Sequence, residues 1–226
     1  MEVNIGGNVL FTLFETIKIT DSIVITWGIM LFLTILGYLG GRLFKNRPIN
    51  KPPEGAENLA EALYELVEGL VVDSMGEHNR KYIPYMGTLM IFLIVANLSG
   101  LLGLRPPTSD LNTTAALALL TFILIQAKAL EGGVGSYFKG FIEPFPMMLP
   151  LNLISEISTP FSLCFRLFGN LLSGYLIMTI IYNALVKIWY VFFLAQPFHL
   201  YFDLFSGVIQ TLIFASLTMA YISIKE

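Results

Sequence analysis

The sequence predicts an all-α polytopic membrane protein with about five to six membrane helices, and three observations support this class. Hydrophobic residues make up 55% of the 226 residues and charged residues only 13%, and the mean hydropathy is +0.72. Several uncharged stretches reach about 20 residues, the length that a helix needs to cross a bilayer. Prolines interrupt one apolar stretch, which indicates a long, tilted or re-entrant pair of helices near the C-terminus. We therefore expect residues 1–226 to form a single membrane domain.

The first predicted span is residues 22–41, which are uncharged and lie between Asp21 and Arg42. No cleavable signal peptide is predicted before it, because the preceding residues include acidic side chains and lack a basic start. The basic residues that follow the span are Arg42, Lys45, Arg47 and Lys51. Because lysine and arginine accumulate on the cytoplasmic side of membrane proteins, we expect this face to be cytoplasmic and the N-terminus to lie outside.

Residues 54–76 predict an amphipathic helix at the cytoplasmic surface. Apolar residues recur there at helical spacing, and glutamates occupy the other side. The apolar positions are Leu59, Ala62, Leu63, Leu66, Val67 and Leu70, and the glutamates are Glu57, Glu61, Glu65 and Glu68. The acidic face argues against binding to anionic lipid headgroups, which attract lysine and arginine. Two roles for this helix are equally open: a loop helix without a partner, or a helix that docks a partner.

Two further spans are predicted at residues 82–104 and 111–127. Between them, Pro106 and Pro107 break the helical pattern. Because the first span runs inward, the second runs outward and the third returns, so this connection lies outside. The glycines of the sequence EGGVG then turn the chain at the inner face.

The segment 144–186 is predicted to combine a proline-broken start with a long helix. The prolines in this segment are Pro144, Pro146, Pro150 and Pro160. Broken backbone at membrane depth is tolerated only where protein covers it or where it lines a water-filled cavity. We expect the long helix to begin near Pro160 and to run through Arg166 towards Leu185. A final helix is predicted at residues 199–224, with the C-terminus on the cytoplasmic side.

Arg166 lies alone in apolar sequence within the long helix. Nine uncharged residues separate it from Glu156, and twenty separate it from Lys187. An arginine near the centre of a span costs roughly 2.5 kcal/mol or more on insertion, so a functional role is the first interpretation. One alternative is a guanidinium that extends to the membrane interface. The other is a structural ion pair with Glu156, although ten helical residues correspond to about 15 Å.

Other polar residues share a helix face with Arg166 or lie on the final helix. On the helix of Arg166, the positions four before, four after and seven after it are Ser162, Asn170 and Ser173. On the final helix, spacings of three and four place on one face Asp203, Ser206 and Gln210. Serines in spans commonly form interhelical hydrogen bonds. The acid and the amide of the final helix indicate a partner or water instead, and an interfacial position is the alternative for Asp203. Glu156, in the proline-rich segment, is the remaining ionisable candidate.

The sequence contains no recognisable enzyme constellation. It has no histidine pair at metal-binding spacing, no glycine-rich phosphate loop and no nucleophile elbow, so no catalytic site, metal or cofactor is predicted. The single cysteine, Cys164, has no disulfide partner in the chain, and the net charge of -3 does not suggest a nucleic acid. Isolated ionisable and amide groups on membrane helices indicate ion movement. One alternative is a self-contained secondary transporter in which Arg166 binds an anionic substrate, although no internal repeat is visible; the other is a purely structural scaffold.

Three motifs resemble subunit a of the rotary F-type ATP synthase of bacterial type, the stationary channel-forming subunit of its membrane F0 sector. The first is RLFGN, Arg166 to Asn170, which PFSLCF precedes and LLSG follows. The second is PPTSDLNTT at residues 106–114, and the third is VIQTLIFASLTMAYIS at residues 208–223. The motifs occur in the order that this family has, each on the expected element.

The resemblance implies that the counter-charge of Arg166 is not in this chain. Arg166 would meet a carboxylate on each subunit of a rotating c-ring, force its ionisation and block leakage between two offset half-channels, so that H⁺ or Na⁺ flow drives ATP synthesis. Arginine suits this role because it stays charged when desolvated. The implied partners are the c-ring, the b-subunit of the peripheral stalk, the rest of the ATP synthase and the lipid bilayer of the cell membrane.

The resemblance also implies roles for the other polar residues. The half-channel open to the outside would be lined by Asn170, Asp203, Ser206 and Gln210, with Asp110 and Asn112 near its mouth. Glu156 would belong to the cytoplasmic half-channel. Many relatives carry an acid or a histidine five residues after the asparagine of the motif, where this chain has Tyr175. Much of the choice between H⁺ and Na⁺ would lie in the ring.

Overall fold

The computed structural model describes residues 9–13, 17–45, 55–142, 145–185, 197–198 and 200–225. Five stretches of it are helical, long and apolar enough to cross a membrane, and they confirm the predicted class of all-α polytopic membrane protein. These stretches are Asp21–Arg42, Glu77–Leu102, Leu111–Glu131, Pro146–Tyr182 and Leu200–Ile224.

The first described residues form a short antiparallel hairpin that was not predicted. Strand β1, Val9–Leu13, pairs with β2, Ile17–Thr20. Strands of 5 and 4 residues are too short for alternation to show in the sequence, although their β-branched and aromatic residues suit a strand. The hairpin leads directly into α1, Asp21–Lys45, which contains the first predicted span. Most of the apolar surface of α1 is exposed, as expected for a helix that faces lipid.

Helix α2, Ala56–Met75, is the predicted amphipathic helix, but only its C-terminal half packs against the protein. Val67, Val71 and Met75 are buried, whereas the predicted apolar positions Leu59, Leu63 and Leu66 are exposed. The helix ends at Gly76, whose φ of 82° favours glycine. A Cβ at this glycine would also lie 3.1 Å from the ring of His78. A 3₁₀ turn, Glu77–Tyr82, follows.

The second and third predicted spans are α3, Ile83–Leu98, and α4, Leu111–Glu131. Two 3₁₀ turns, Ser99–Leu102 and Pro107–Ser109, connect them. Helix α4 is longer than its predicted residues 111–127. Its last turn is charged rather than apolar, and Glu131 there contacts Lys81 at 2.7 Å and Lys128 at 3.4 Å.

Helix α6, Leu149–Leu185, corrects the prediction of a helix that begins near Pro160. It follows α5, Val134–Ile142, and a 3₁₀ turn, Pro146–Met148. Pro150 lies in the first turn of α6, where no amide hydrogen is needed. Pro160 lies inside the helix and removes only the bond to the carbonyl of Glu156, so the helix continues through it.

The final helix is α7, Ser206–Ile224, and a π-helical turn, Leu200–Phe205, precedes it. His199, the predicted start, lies outside the described residues. Helix α7 packs against α2, α3, α4 and α6, and α4 packs along α6. The largest buried apolar side chains of this core are Met86, Leu93, Ile125, Leu163, Leu167, Phe214, Met219 and Ile222.

Asn97 connects α3 to α7 and to the loop before α4. Its amide nitrogen donates to the carbonyl of Gly207 at 2.9 Å and to the hydroxyl of Thr211 at 3.2 Å. Its oxygen accepts a hydrogen bond from the hydroxyl of Thr108 at 2.9 Å. All four residues are buried, and Gly207 permits the close approach because a Cβ there would lie 3.0 Å from the Cβ of Asn97. Buried polar bonds of this kind hold membrane helices together where water cannot.

Candidate functional site

Arg166 lies on α6 and is partly buried. Its guanidinium donates a hydrogen bond to the hydroxyl of Ser162, one turn earlier, at 3.3 Å. Within the described part of the chain, no carboxylate forms an ion pair with Arg166. The alternative of a structural pair with Glu156 is wrong in this structure, because that carboxylate contacts other groups.

Asn170 and Gln210 join α6 to α7 one turn beyond Arg166. The amide nitrogen of Asn170 donates to the side-chain oxygen of Gln210 at 2.6 Å. Gln210 is only 1% exposed, and its amide nitrogen has no hydrogen-bond partner among the described residues. A buried donor of this kind is costly to leave unsatisfied. Ser173 donates to the carbonyl of Gly169 within its own helix, which agrees with an ordinary structural role.

The predicted acid of the final helix, Asp203, lies in the π-helical turn Leu200–Phe205, and its side chain lies outside the described residues. Ser206 is the first residue of α7, one turn before Gln210, and is partly buried. The turn packs closely on α6, where a Cβ at Gly174 would lie 3.4 Å from the Cβ of Phe202. Gly174 lies one turn after Asn170 on α6. The backbone therefore places Asp203 and Ser206 on the Gly174 side of the contact between Asn170 and Gln210.

Tyr175 has a cationic neighbour that was not predicted. The guanidinium of Arg105, from the loop between α3 and α4, lies 5.4 Å from the centre of the Tyr175 ring. This distance allows a cation–π interaction. Arg105 also donates to the hydroxyl of Ser109 at 3.3 Å. Tyr175 therefore lies against a positive charge.

Asp110 has a clear structural role in the same loop. Its carboxylate accepts a hydrogen bond from the backbone amide of Asn112 at 2.9 Å and so caps the N-terminus of α4. The hydroxyl of Thr20 in the hairpin lies 3.5 Å from its second oxygen. Asp110 is buried, whereas the side chain of Asn112 is exposed. Their position near the mouth of a channel stays a prediction.

Glu156 faces an open cavity of about 560 Å³, which we call the Glu156 cavity. The ammonium group of Lys225 lies 2.6 Å from one carboxylate oxygen. The amide of Gln126 donates to the other oxygen at 2.5 Å. Both carboxylate oxygens therefore accept charge-assisted hydrogen bonds. Further lining residues are Asn152, Ser155, Thr159, Phe141 and Tyr221.

Tyr137 orients the amide that reaches Glu156. Burial, followed by the negative charge of Glu156, raises the pKa of the Tyr137 phenol. The phenol therefore stays protonated and donates to the oxygen of Gln126 at 2.7 Å. With its oxygen occupied, the amide of Gln126 turns its nitrogen towards the carboxylate. Four elements, α4, α5, α6 and the end of α7, thus converge on one acid.

The site contains residues that were not predicted, namely Arg105, Gln126, Tyr137 and Lys225. Gln126 carried a usable signal, because it is an isolated amide in an apolar span. Lys225, the penultimate residue of the given sequence, carried no such signal. Its partner Glu156 is 69 residues away in the sequence, so the pair depends on how the helices pack.

Comparison with known proteins identifies the family. The family model described as ATP synthase A chain matches residues 22–223. The ATP synthase subunit a of Moorella thermoacetica is 37% identical over 209 residues, which cover 92% of this chain and 91% of the relative. The ATP synthase subunit a 2 of Bradyrhizobium sp. is 38% identical over 208 residues, which cover 91% and 88% respectively.

A third relative is named for its ion. The protein named ATP synthase subunit a, sodium ion specific, from Propionigenium modestum is 35% identical over 221 residues, which cover 90% of this chain and 73% of the relative. These matches cover nearly the whole described structure, including the helix of Arg166. The chain therefore belongs to the ATP synthase A chain family and is an ion-translocating stator subunit of the F0 sector.

Proposed function

We propose that Arg166 is the residue at which this subunit acts on the carboxylates of the rotating c-ring. The observation that carries the proposal is a membrane-depth guanidinium whose described contact is a neutral hydroxyl. A permanent cation in this position needs an anionic partner, and the c-ring of the same sector supplies one. Each arriving carboxylate would be held in its ionised form, so that its ion is released.

Two separate polar regions would bring ions to and from this arginine. Asn170, Gln210, Ser206 and Asp203 would line one half-channel, and the Glu156 cavity would form the other. Glu156 and Arg166 are ten residues apart on α6, which corresponds to about 15 Å of helix. Because Arg166 lies between the two regions, its charge would block direct passage. Each unit charge that leaked would lose about 2.3 kcal/mol per 100 mV.

The charges at the helix ends support the predicted orientation. Basic residues lie at the ends of several spans that meet one face, namely Arg42, Arg80, Lys81, Lys128 and Lys225. By the positive-inside rule this face would be cytoplasmic. The N-terminus would then lie outside and the C-terminus inside, in a cell membrane. The Glu156 cavity would be the cytoplasmic half-channel.

The coupling ion would be H⁺ or Na⁺. The sodium-specific name of the Propionigenium modestum relative makes Na⁺ a candidate for this chain. The oxygens that line the Glu156 cavity suit either ion. Besides the c-ring, we propose the b-subunit of the peripheral stalk and the remainder of the ATP synthase as partners. The family assignment replaces the alternatives of a self-contained transporter and a structural scaffold.

Disulfide cross-linking in the complete complex tests whether Arg166 faces the ring. Ser162 shares the face of Arg166 and is exposed, so Ser162→Cys should cross-link to a cysteine placed beside the ring carboxylate. The background would be Cys164→Ser, because Cys164 is buried in the same helix. The matched control is Thr34→Cys on the lipid-facing side of α1. Equal cross-linking of both variants, or none at Ser162→Cys, would contradict the proposal.

A further inference from the structure

At the Glu156 cavity, Lys225 forms an ion pair with Glu156, the acid that passing ions would use. A positively charged side chain of the protein therefore already occupies this acid. The side chain of Lys225 is 27% exposed and that of Glu156 is 16% exposed, so both groups border the cavity. The lysine ammonium and the Gln126 amide occupy the two carboxylate oxygens. An arriving cation therefore has to compete with Lys225 for Glu156.

The surroundings allow Lys225 to leave the carboxylate. Lys225 is the residue directly after α7, so its backbone is not held within a helix on both sides. Its ammonium also lies 5.8 Å from the centre of the Phe141 ring, which offers the cation a second contact at the edge of the cavity. Gln126 is held by Tyr137 and would keep Glu156 in place while the lysine moves.

The cavity also offers oxygens to an ion that replaces the ammonium. Pro160 has no amide hydrogen, so the carbonyl of Glu156 lacks its usual helical donor. Ser155 and Thr159 line the same cavity. Carboxylate, carbonyl and hydroxyl oxygens are the ligands that hard cations prefer.

On this basis, which rests on the proposed function, we propose that Lys225 is the resident counter-ion of Glu156. It occupies the carboxylate between passing ions and is displaced by each coupling ion. Conduction requires a site that binds an ion strongly enough to admit it and weakly enough to release it. Competition from Lys225 keeps the affinity of Glu156 for the coupling ion low. Lys225 is therefore a positioning residue for ion release.

Two substitutions of Lys225 should change ion binding in opposite directions. Lys225→Gln removes the competitor, so the half-saturating concentration of the coupling ion at the cavity side should fall roughly two- to fivefold. ATP synthesis, which requires release from this site, should slow more than ATP-driven pumping. Lys225→Arg keeps a permanent cation that can bind a carboxylate through two bonds, so the half-saturating concentration should rise.

The measurement uses the complete ATP synthase in inverted membrane vesicles, whose cytoplasmic face is outside. ATP-driven ion uptake is recorded against external NaCl and against external pH, and synthesis is recorded at a fixed membrane potential. In a Glu156→Gln background, Lys225→Gln should add no further effect. An unchanged half-saturation in either variant, or a decrease in Lys225→Arg, would overturn the inference.

Arg166→Ala, measured in parallel, separates the two proposals. Loss of synthesis in Arg166→Ala together with wild-type behaviour of both Lys225 variants would reject only the role of Lys225. Normal synthesis in Arg166→Ala would reject the proposed function itself. The amount of this chain that co-purifies with the ring shows that each variant assembles. If Lys225→Gln does not assemble, the direction of the Lys225→Arg shift still decides the inference.

Discussion

Replacing Asn97 with alanine should loosen the contact between α3 and α7. The substitution removes three hydrogen bonds, to Gly207, Thr211 and Thr108. At about 0.6 kcal/mol for each such bond in a membrane protein, their loss amounts to about 2 kcal/mol. The hydroxyl of Thr108 is fully buried and would lose its acceptor, which adds roughly 1 to 3 kcal/mol. Gly207 loses less, because its carbonyl also accepts a bond from Thr211 at 3.0 Å.

The expected destabilisation of about 3 to 5 kcal/mol should lower the midpoint of thermal unfolding by roughly 6 °C or more. The assay is to heat the purified complex in mild detergent and to measure the soluble fraction of this chain. The matched control is Thr88→Ala on the same helix, because the exposed Thr88, among the described residues, bonds only the carbonyl of Pro84 in its own helix. Its effect should stay within about 0.5 kcal/mol. If the midpoints of the two variants agree within error, the hydrogen bonds of Asn97 do not stabilise the helix contact.

Three further predictions concern the same loop and helices. Gly207→Ala should cost about 1 to 3 kcal/mol in the heating assay, because the added Cβ would meet Asn97 at 3.0 Å; an unchanged midpoint would show that the helices can separate freely. Asp110→Ala should lose about 1 kcal/mol with the cap of α4, whereas Asp110→Asn should keep its stability; reduced ion flux in the stable asparagine variant would assign a channel role to the charge. Asp203→Asn should slow ATP synthesis without abolishing it, and an unchanged rate would remove Asp203 from the channel.

The membrane helices could be predicted because each depends on a local property of the sequence. The span at residues 22–41 lies within α1, and the amphipathic helix of residues 54–76 corresponds closely to α2. The start of α6 was wrong because proline was taken to break the helix. In the structure Pro150 lies in the first turn and Pro160 costs one backbone bond inside a long helix.

The polar contacts between helices could not be predicted to the same extent. The pairing of Asn170 with Gln210 joins two residues whose spacing placed each on a polar face, but the 2.6 Å contact depends on how α6 and α7 pack. The same holds for Lys225 and Glu156, which meet only because the end of α7 reaches α6. Gly207 shows the reason most plainly, since the contact of α3 with α7 depends on a missing side chain.

These contacts give a physical reason for the isolation of Arg166 from other charges in the described part of the chain. The nearest acid along the helix, Glu156, is neutralised by Lys225 and held by Gln126. Arg166 itself contacts Ser162. A resident acid beside the guanidinium would compete with the ring carboxylates, so the arrangement of the two cations would keep Arg166 available for its proposed contact with the ring.

The most direct test is ATP synthesis by the complete complex carrying Arg166→Ala, measured in inverted vesicles under an imposed ion gradient and membrane potential. The amount of chain and ring recovered together would confirm assembly. Ser173→Ala is the control, because within the described structure Ser173 bonds only the carbonyl of Gly169 in its own helix. We predict that the assembled Arg166→Ala complex makes no more ATP than uncoupled vesicles, while Ser173→Ala is close to wild type. Synthesis at the wild-type rate by assembled Arg166→Ala would contradict the role of Arg166.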